Sequence, residues 1–283
     1  MQQKVARAAL VDSGGIHAAQ RNAFAFALTV GSRAIHVRDK VLGRIPACAS
    51  PPDGLALNRL RIASGRNELD AAFAAPAKEQ TRATVLICHG IGEVVVQWQR
   101  IQLFMAACGI ASLVFDYSGY GRSTGWPTPK QLENDAIAAH ARLSEFVPGP
   151  ISLLGFSLGT GIVPAILNRV QAHRLVLCAG FTGFRAAARR VCIPPFLTAL
   201  VPPVWESEPA LRAATQPILF VHSTGDRLFP IAMAEEMARW CGDRARLNIF
   251  KGLSHNEPFY KPTAHYWQSV ADFLLAEDPD LLS

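Results

Sequence analysis

The 283-residue chain lacks several features that would assign it to a common class of protein. No apolar run approaches the ~18 residues needed to span a bilayer, so we expect no integral membrane segment. Only 18% of the residues are charged, and no basic run is longer than the pair Arg189-Arg190, although the formal net charge is +6. We therefore expect a mildly basic, solvated surface and no nucleic-acid partner.

Cysteine pairs at the spacing of metal or redox sites are missing as well. None of the six cysteines belongs to a CxxC pair, and Cys88 and Cys178 lie inside apolar runs. We interpret the cysteines as reduced thiols, which predict a cytoplasmic location. The chain also lacks an HExxH motif, a cluster of metal ligands and a GxGxxG after a strand, so we expect no metal and no organic cofactor.

What is present is enough apolar material for one large core, since half of the residues are hydrophobic. Residues 1–50 have weak patterning and end in a proline-containing loop, and we treat them as an N-terminal extension. Residues 51–283 are predicted to form one domain. Its first elements are a candidate hairpin, with strands at 55–63 and 68–75.

From residue 84 onward, apolar runs of strand length alternate with helical patterns. Continuous apolar strands separated by helices predict an α/β fold, with a mostly parallel central sheet and helices on both of its faces. The predicted strands are 84–88, 111–115, 151–154, 174–178, 217–222 and 247–250, and the predicted helices are 94–107, 129–146, 158–170, 231–241 and 263–275.

One segment, at about 181–214, interrupts this alternation and holds five prolines. A long insertion between two core strands often covers the sheet, so we predict a small cap over the site. Its aromatic side chains would line a substrate pocket. The alternative is an ordinary packed excursion whose aromatic residues belong to the core. The candidate pocket residues are Phe181, Phe184, Phe196 and Trp205.

A serine flanked by glycines lies directly after the predicted strand 151–154. Gly155-Phe156-Ser157-Leu158-Gly159 stands between that strand and a helical pattern, which is the setting that a G-x-S-x-G nucleophile elbow requires. The turn forces strained dihedrals on the serine and needs glycine on both sides. We interpret Ser157 as a nucleophile, and the alternative is a simple Gly/Ser turn.

A serine hydroxyl needs a base within hydrogen-bonding reach, and eight histidines are available. In this architecture the base comes from a loop after the last strand, and His255 lies in the loop that follows strand 247–250. His265 falls on the next helix, where a surface or packing role is expected. His222 ends a strand and is expected to make a structural hydrogen bond. His255 is therefore the predicted base.

The imidazole in turn needs a carboxylate that fixes its tautomer. Asp226 follows strand 217–222, and no carboxylate follows the strand before it, where the chain reads Cys178-Ala179-Gly180. Asp116 also ends a strand, but it precedes the serine, and we interpret it as a carboxylate that fixes its own loop. The order serine, Asp226, histidine is the one expected for this fold.

Two backbone amides are predicted to form an oxyanion hole. One belongs to Leu158, next to the serine. The other is expected in the glycine-containing loop after strand 84–88, where Ile91 is the best candidate. His89 and Glu93 are expected to brace this loop.

Taken together, these motifs resemble the α/β-hydrolase superfamily, and within it the serine hydrolases with a small cap. The HGxG loop reads His89-Gly90-Ile91-Gly92, and the GYGxS segment reads Gly119-Tyr120-Gly121-Arg122-Ser123. With the elbow and the aspartate and histidine loops, the resemblance covers roughly residues 55–275. It implies the α/β-hydrolase fold and a triad of Ser157, Asp226 and His255.

The resemblance implies a carboxylesterase- or thioesterase-like serine hydrolase that acts on a small acyl substrate through an acyl-enzyme. The superfamily also includes peptidases and acyltransferases, so both alternatives stay open. A non-catalytic binding protein of the same fold would be favoured by loss of a triad member, and none is lost here. The oligomeric state is left open.

Overall fold

The described part of the chain, in a computed structural model, comprises residues 50–190, residue 201 and residues 203–277. Its central element is an eight-stranded sheet with the strand order β1-β2-β4-β3-β5-β6-β7-β8. β2 is antiparallel to both of its neighbours, and β3 to β8 run parallel to one another. The strands are β1 (Leu55–Ser64), β2 (Asn67–Pro76), β3 (Ala83–Cys88), β4 (Ile110–Phe115), β5 (Ile151–Phe156), β6 (Leu175–Cys178), β7 (Ile218–Ser223) and β8 (Ala245–Phe250).

Helices connect the parallel strands and cover both faces of the sheet. In the described residues they are α1 (Val95–Ala107), α2 (Pro129–Phe146), α3 (Gly159–Ile166), α4 (Phe184–Ala188), α5 (Glu208–Ala213), α6 (Ile231–Cys241), α7 (Glu257–Tyr260) and α8 (Ala264–Leu275), with short 3₁₀ turns at Lys78–Gln80 and Gly242–Arg244. None of these helices is both long enough and apolar enough to span a bilayer.

Two apolar clusters, one on each face, bury the central strands. Alternate side chains of a strand point to opposite faces, so that Leu153 joins one cluster and Leu154 the other. α1 and α8 pack on one face, where the rings of Trp98 and Trp267 lie 5.8 Å apart. α2, α3 and α6 pack on the opposite face. This double coverage explains why every residue of β5 is buried.

The predicted α/β architecture is confirmed, with small differences at the ends of elements. The opening hairpin forms, with Ser64 paired to Asn67 across a two-residue turn. Thr128 caps α2 by accepting a hydrogen bond from the Gln131 amide at 3.1 Å. The helix expected at 158–170 ends at Ile166, because the next residues bond to carbonyls three positions back and form a tighter turn. The predicted N-terminal extension, apart from its last residue, lies outside the described residues.

Candidate active site

Ser157 occupies a tight turn between β5 and α3 and has a left-handed backbone, with φ of 50°. The glycines on either side are required by space. A Cβ on Gly159 would lie 1.9 Å from the main-chain oxygen of Cys88, and one on Gly155 would lie 2.6 Å from the oxygen of Gly159. Backbone atoms cannot move aside cheaply, so the turn admits only glycine at both positions.

The three residues predicted as a triad are linked in series, with His255 within hydrogen-bonding distance of both Ser157 and Asp226. The Ser157 hydroxyl lies 2.9 Å from His255 Nε2, and His255 Nδ1 lies 2.7 Å from an Asp226 carboxylate oxygen. Because a carboxylate only accepts hydrogen bonds, Nδ1 carries the proton, which leaves a lone pair on Nε2 facing the serine. This is the tautomer that a general base requires.

The Asp226 carboxylate is held in its ionised form by three neighbouring groups. Burial acts to raise the pKa of Asp226, but hydrogen bonds from His255 and the Phe229 amide, and the nearby His222, lower it overall. One carboxylate oxygen accepts from the amides of Leu228 and Phe229, both at 2.9 Å. The other oxygen is therefore free to face His255.

Close contact between two loops brings Asp226 to His255. β7 and β8 are adjacent and parallel, so their carboxyl ends lie side by side. A Cβ on Gly225 would lie 2.5 Å from the carbonyl carbon of Gly252, so the two loops touch backbone to backbone. The Thr224 hydroxyl also accepts a hydrogen bond from the Gly252 amide at 3.2 Å. These contacts fix the distance between acid and base.

The loop predicted to supply an oxyanion donor is braced by Glu93. Its carboxylate accepts the Gly90 amide at 2.7 Å and the Trp98 indole N–H at 2.9 Å. Within the described residues, the amides of Ile91 and Leu158 have no hydrogen-bond acceptor. Both are therefore available to an external oxygen atom, as a donor in an oxyanion hole must be.

His89 lies at the base of the same loop, where it was predicted to act as a brace, and Asp116, which was predicted to fix its own loop, also contacts the residues that follow the His89 loop. His89 Nδ1 lies 2.8 Å from the Gly90 carbonyl oxygen, and burial lowers the pKa of this histidine to about 4. Asp116 accepts the Val95 amide at the start of α1 at 2.8 Å. Burial raises the pKa of Asp116 to about 7. Neither side chain contacts the serine–histidine pair.

The sequence reasoning missed two aromatic side chains that flank His255. The Phe229 ring meets the imidazole edge to face, with centroids 5.0 Å apart, and the Phe156 ring lies 6.1 Å away. Phe229 also contacts Phe181 at 5.3 Å, and Phe184 packs against the same small cluster. The position of Phe229, three residues after Asp226, was the available signal, but spacing alone does not predict a ring contact.

The other predicted pocket residues differ in their surroundings. Trp205 is buried in the core cluster, and its indole N–H lies 3.3 Å from a Glu133 carboxylate oxygen. Trp205 and Phe181 both approach Gly161, since a Cβ there would lie 3.0 Å from each of them. They therefore pack against α3, one helical turn after Ser157. Phe196 lies outside the described residues.

Comparisons with known proteins bear on the fold and on the general class of activity. The Hydrolase_4 family, described as serine aminopeptidase S33, matches residues 79–213. An uncharacterized protein of Mycobacterium tuberculosis is 26% identical over 62% of this chain and 63% of its own length. The lysophosphatidylserine lipase ABHD12 of Danio rerio is 22% identical over 74% of this chain and 63% of its own. The chain thus spans less than two thirds of the length of these curated relatives.

Solved structures show the same fold. The esterase Pf2001 of Pyrococcus furiosus aligns with a TM-score of 0.64 at 17% identity, over 81% of this chain and 96% of that one. Est1E of Butyrivibrio proteoclasticus, solved with ferulic acid, aligns with a TM-score of 0.60 at 18% identity, over 76% and 96%. The sheet order and the helices on both faces define an α/β protein of the hydrolase type. The chain has the α/β-hydrolase fold, and the family match and the curated relatives support a hydrolase of this superfamily.

Proposed function

We propose that this protein is a serine hydrolase that cleaves a carboxylic ester or thioester through an acyl-enzyme. One observation carries the proposal: the unbroken series of hydrogen bonds from Ser157 through His255 to Asp226, at 2.9 and 2.7 Å. The strained backbone of the serine adds support, because such strain persists where the surrounding structure enforces it and is common at active sites.

In the first step the Ser157 oxygen forms a bond to the acyl carbon of the substrate. His255 Nε2 takes the hydroxyl proton as this bond forms, and Asp226 stabilises the resulting imidazolium. The tetrahedral intermediate then loses the alcohol or thiol, which leaves with the proton from Nε2. The serine is left esterified by the acyl group.

In the second step a water molecule attacks the acyl-enzyme, and His255 again accepts and then returns a proton. The acid is released and the serine hydroxyl is restored. In both steps the negative charge on the carbonyl oxygen is stabilised by the amides of Ile91 and Leu158. Removal of one such donor typically costs 10²–10³-fold in rate, so these amides are expected to contribute a large share of the acceleration.

We further propose that the segment at about 181–214 is a cap and that the acyl group lies against aromatic side chains near His255. Support comes from the cluster in which the Phe181 and Phe229 rings lie 5.3 Å apart and the Phe229 ring contacts the imidazole. An apolar wall beside the reacting atoms suits an acyl chain. Trp205 is buried against Gly161, one helical turn after Ser157, and would close the far side of such a pocket.

The peptidase alternative has one specific observation in its favour, which is the description of the matching family as a serine aminopeptidase. An ester, a thioester and an amide that share one acyl group separate the possibilities. We expect turnover of the ester or thioester, with the amide at least about 10²-fold slower. Faster cleavage of the amide would favour the peptidase instead. Added alcohols that divert the acyl group to new esters would indicate an acyltransferase.

A direct test of the acyl-enzyme uses intact-mass spectrometry of the protein quenched during turnover of a p-nitrophenyl ester. We expect an adduct with the mass of the acyl group on wild type and none on Ser157→Ala. A burst of nitrophenol equal to the enzyme concentration would accompany slow deacylation. Turnover by Ser157→Ala at the wild-type rate would contradict the proposal.

A cytoplasmic location is also proposed, on the basis of the cysteines. The four that fall within the described residues, Cys88, Cys108, Cys178 and Cys241, are free thiols. Burial raises the pKa of Cys88 and of Cys178 to about 12, so neither thiol is reactive. Unpaired thiols are typical of reducing compartments.

A further inference from the structure

Besides His255, a second histidine, which is buried, lies beside the carboxylate of Asp226. His222 is the second-last residue of strand β7, and its ring is almost fully buried. Its Nε2 lies 2.8 Å from the main-chain oxygen of Phe229 and 3.6 Å from the Asp226 oxygen that faces His255. The sequence predicted only a structural hydrogen bond for this residue, but its partners link it to the candidate triad.

The contacts of His222 define its protonation. A carbonyl oxygen can only accept, so Nε2 carries a proton. Burial lowers the pKa of His222, so the ring is neutral at pH 7 and Nδ1 has a lone pair. Among the described residues this Nδ1 atom is buried without a hydrogen-bond partner. An unsatisfied buried polar atom destabilises the fold, so core packing alone would favour an apolar side chain here.

The carbonyl that His222 holds belongs to a residue that touches both members of the acid–base pair. The amide of Phe229 donates to Asp226 at 2.9 Å, and the Phe229 ring packs edge to face on His255 at 5.0 Å. Movement of the Phe229 backbone would therefore weaken the hydrogen bond to the Asp226 carboxylate and would also displace the ring that packs on His255. His222 holds the carbonyl of this residue.

We propose that His222 is a positioning residue for the reaction: its Nε2–H fixes the Phe229 carbonyl and thereby holds both Asp226 and the Phe229 ring against His255. This inference rests on the proposed function. It assigns no proton transfer to His222, since its Nε2 proton is engaged by a carbonyl and its ring does not reach the serine. The residue acts through the alignment of His255.

The test compares amides that differ only in reach. Glutamine can bring its amide nitrogen close to the position of histidine Nε2, whereas the asparagine nitrogen corresponds to Nδ1 and falls short of Phe229. We expect His222→Gln to retain kcat within about threefold, while His222→Asn and His222→Leu lose about 10- to 100-fold in kcat at nearly unchanged KM. Misplacement of a reacting group by about 1 Å can cost 10²-fold.

A matched control is offered by His140, which makes the same kind of bond far from the triad. Its Nε2 lies 2.9 Å from the main-chain oxygen of Gln171. His140→Leu, which removes the donor, should lower the melting temperature, and neither His140→Leu nor His140→Gln should change kcat. As a spectroscopic readout, the far-downfield proton resonance of His255 Nδ1 should persist in His222→Gln and weaken or shift in His222→Asn.

The outcomes separate this inference from the proposed function. If wild type turns over esters and loses activity on Ser157→Ala, but His222→Asn keeps wild-type kcat and the same His255 resonance, only the positioning role is overturned. Equal loss in the Gln and Asn variants would also overturn it, because the donor at Nε2 would then be irrelevant. Inactive wild type would reject the proposed function itself. If the Leu variant does not fold, the Gln and Asn pair decides.

Discussion

Replacement of Asp226 by asparagine is the most informative single substitution, because the structure predicts which way the new amide will face. One oxygen of the carboxylate accepts two backbone amides at 2.9 Å. The asparagine oxygen must keep that position, since an NH₂ group there would oppose two donors. The NH₂ group then faces His255 Nδ1, where the carboxylate oxygen of the wild-type protein accepts a hydrogen bond at 2.7 Å.

The consequence for catalysis follows from the tautomer. His255 can meet an NH₂ group only with an unprotonated Nδ1, which puts its proton on Nε2, beside the serine. A protonated Nε2 cannot act as a base. In a triad of this kind the loss is about 10⁴-fold in kcat, which corresponds to about 5 kcal/mol of transition-state stabilisation at 1.36 kcal/mol for each tenfold change.

The assay is steady-state hydrolysis of a p-nitrophenyl ester, with the melting temperature measured in parallel. Asp116→Asn is the matched control, because Asp116 is also a buried aspartate that follows a strand and accepts a backbone amide at 2.8 Å. We expect Asp226→Asn to be folded and inactive, and Asp116→Asn to lose more stability than activity. Activity of Asp226→Asn within tenfold of wild type, or an inactive and folded Asp116→Asn, would refute the choice of acid.

Three further predictions concern the elbow, the pocket and the pH dependence of stability. Gly159→Ala should prevent stable folding, because its Cβ would lie 1.9 Å from a main-chain oxygen. A Cβ on Gly180 would meet only side-chain atoms, of Met237 and Thr160 at 3.1 Å, so Gly180→Ala should still unfold cooperatively in a thermal melt. Phe184→Ala should shift the preferred acyl length in a panel of p-nitrophenyl esters by about 10-fold in selectivity, and the partly buried Phe73→Ala, at the other end of the sheet, should not. Burial lowers the pKa of His89 from 6.5 to about 4. Between these two pH values the unfolded chain binds more protons at this residue than the folded protein does, so wild type loses stability as the pH falls through this window. His89→Asn removes this loss of stability at low pH, which amounts to up to about 3 kcal/mol. The melting temperature of His89→Asn should therefore fall less than that of wild type from pH 6.5 to 4.

Much of the fold could be predicted from the sequence, because continuous apolar strands and amphipathic helices have distinct periods. The alternation from residue 84 predicted all six parallel strands and the helices α1, α2, α3, α6 and α8, but not the short helices α4, α5 and α7. The ends of elements were less predictable. The apolar pattern continues past Ile166, yet α3 ends there because the backbone tightens into a turn, which side-chain periodicity does not report.

The candidate triad was also predictable, since the carboxyl ends of adjacent parallel strands meet at one edge of the sheet. Ser157, Asp226 and His255 each follow such a strand. The contact that sets their spacing was not predictable. The close approach of Gly225 to Gly252 depends on the conformation of both loops, and a glycine in a loop sequence has no unique partner.

Buried polar groups were the features least accessible to sequence reasoning. Asp135 lies on α2, where a charged residue is ordinarily expected to face solvent. Instead it is fully buried and accepts the Ser64 hydroxyl at 2.6 Å and the Ser118 amide at 2.7 Å. His222 was likewise assigned a structural bond, but the identity of its partner, the Phe229 carbonyl, required the course of the loop.

Covalent labelling of the serine tests the central claim most directly. The protein is incubated with a fluorophosphonate reagent, digested, and the modified peptide is identified by mass spectrometry, with Ser157→Ala treated in parallel. The hydroxyl lies 2.9 Å from its base, so we predict stoichiometric modification of Ser157, loss of esterase turnover in proportion to labelling, and no labelling of the alanine variant. Labelling of another residue together with retained turnover in Ser157→Ala would contradict the account.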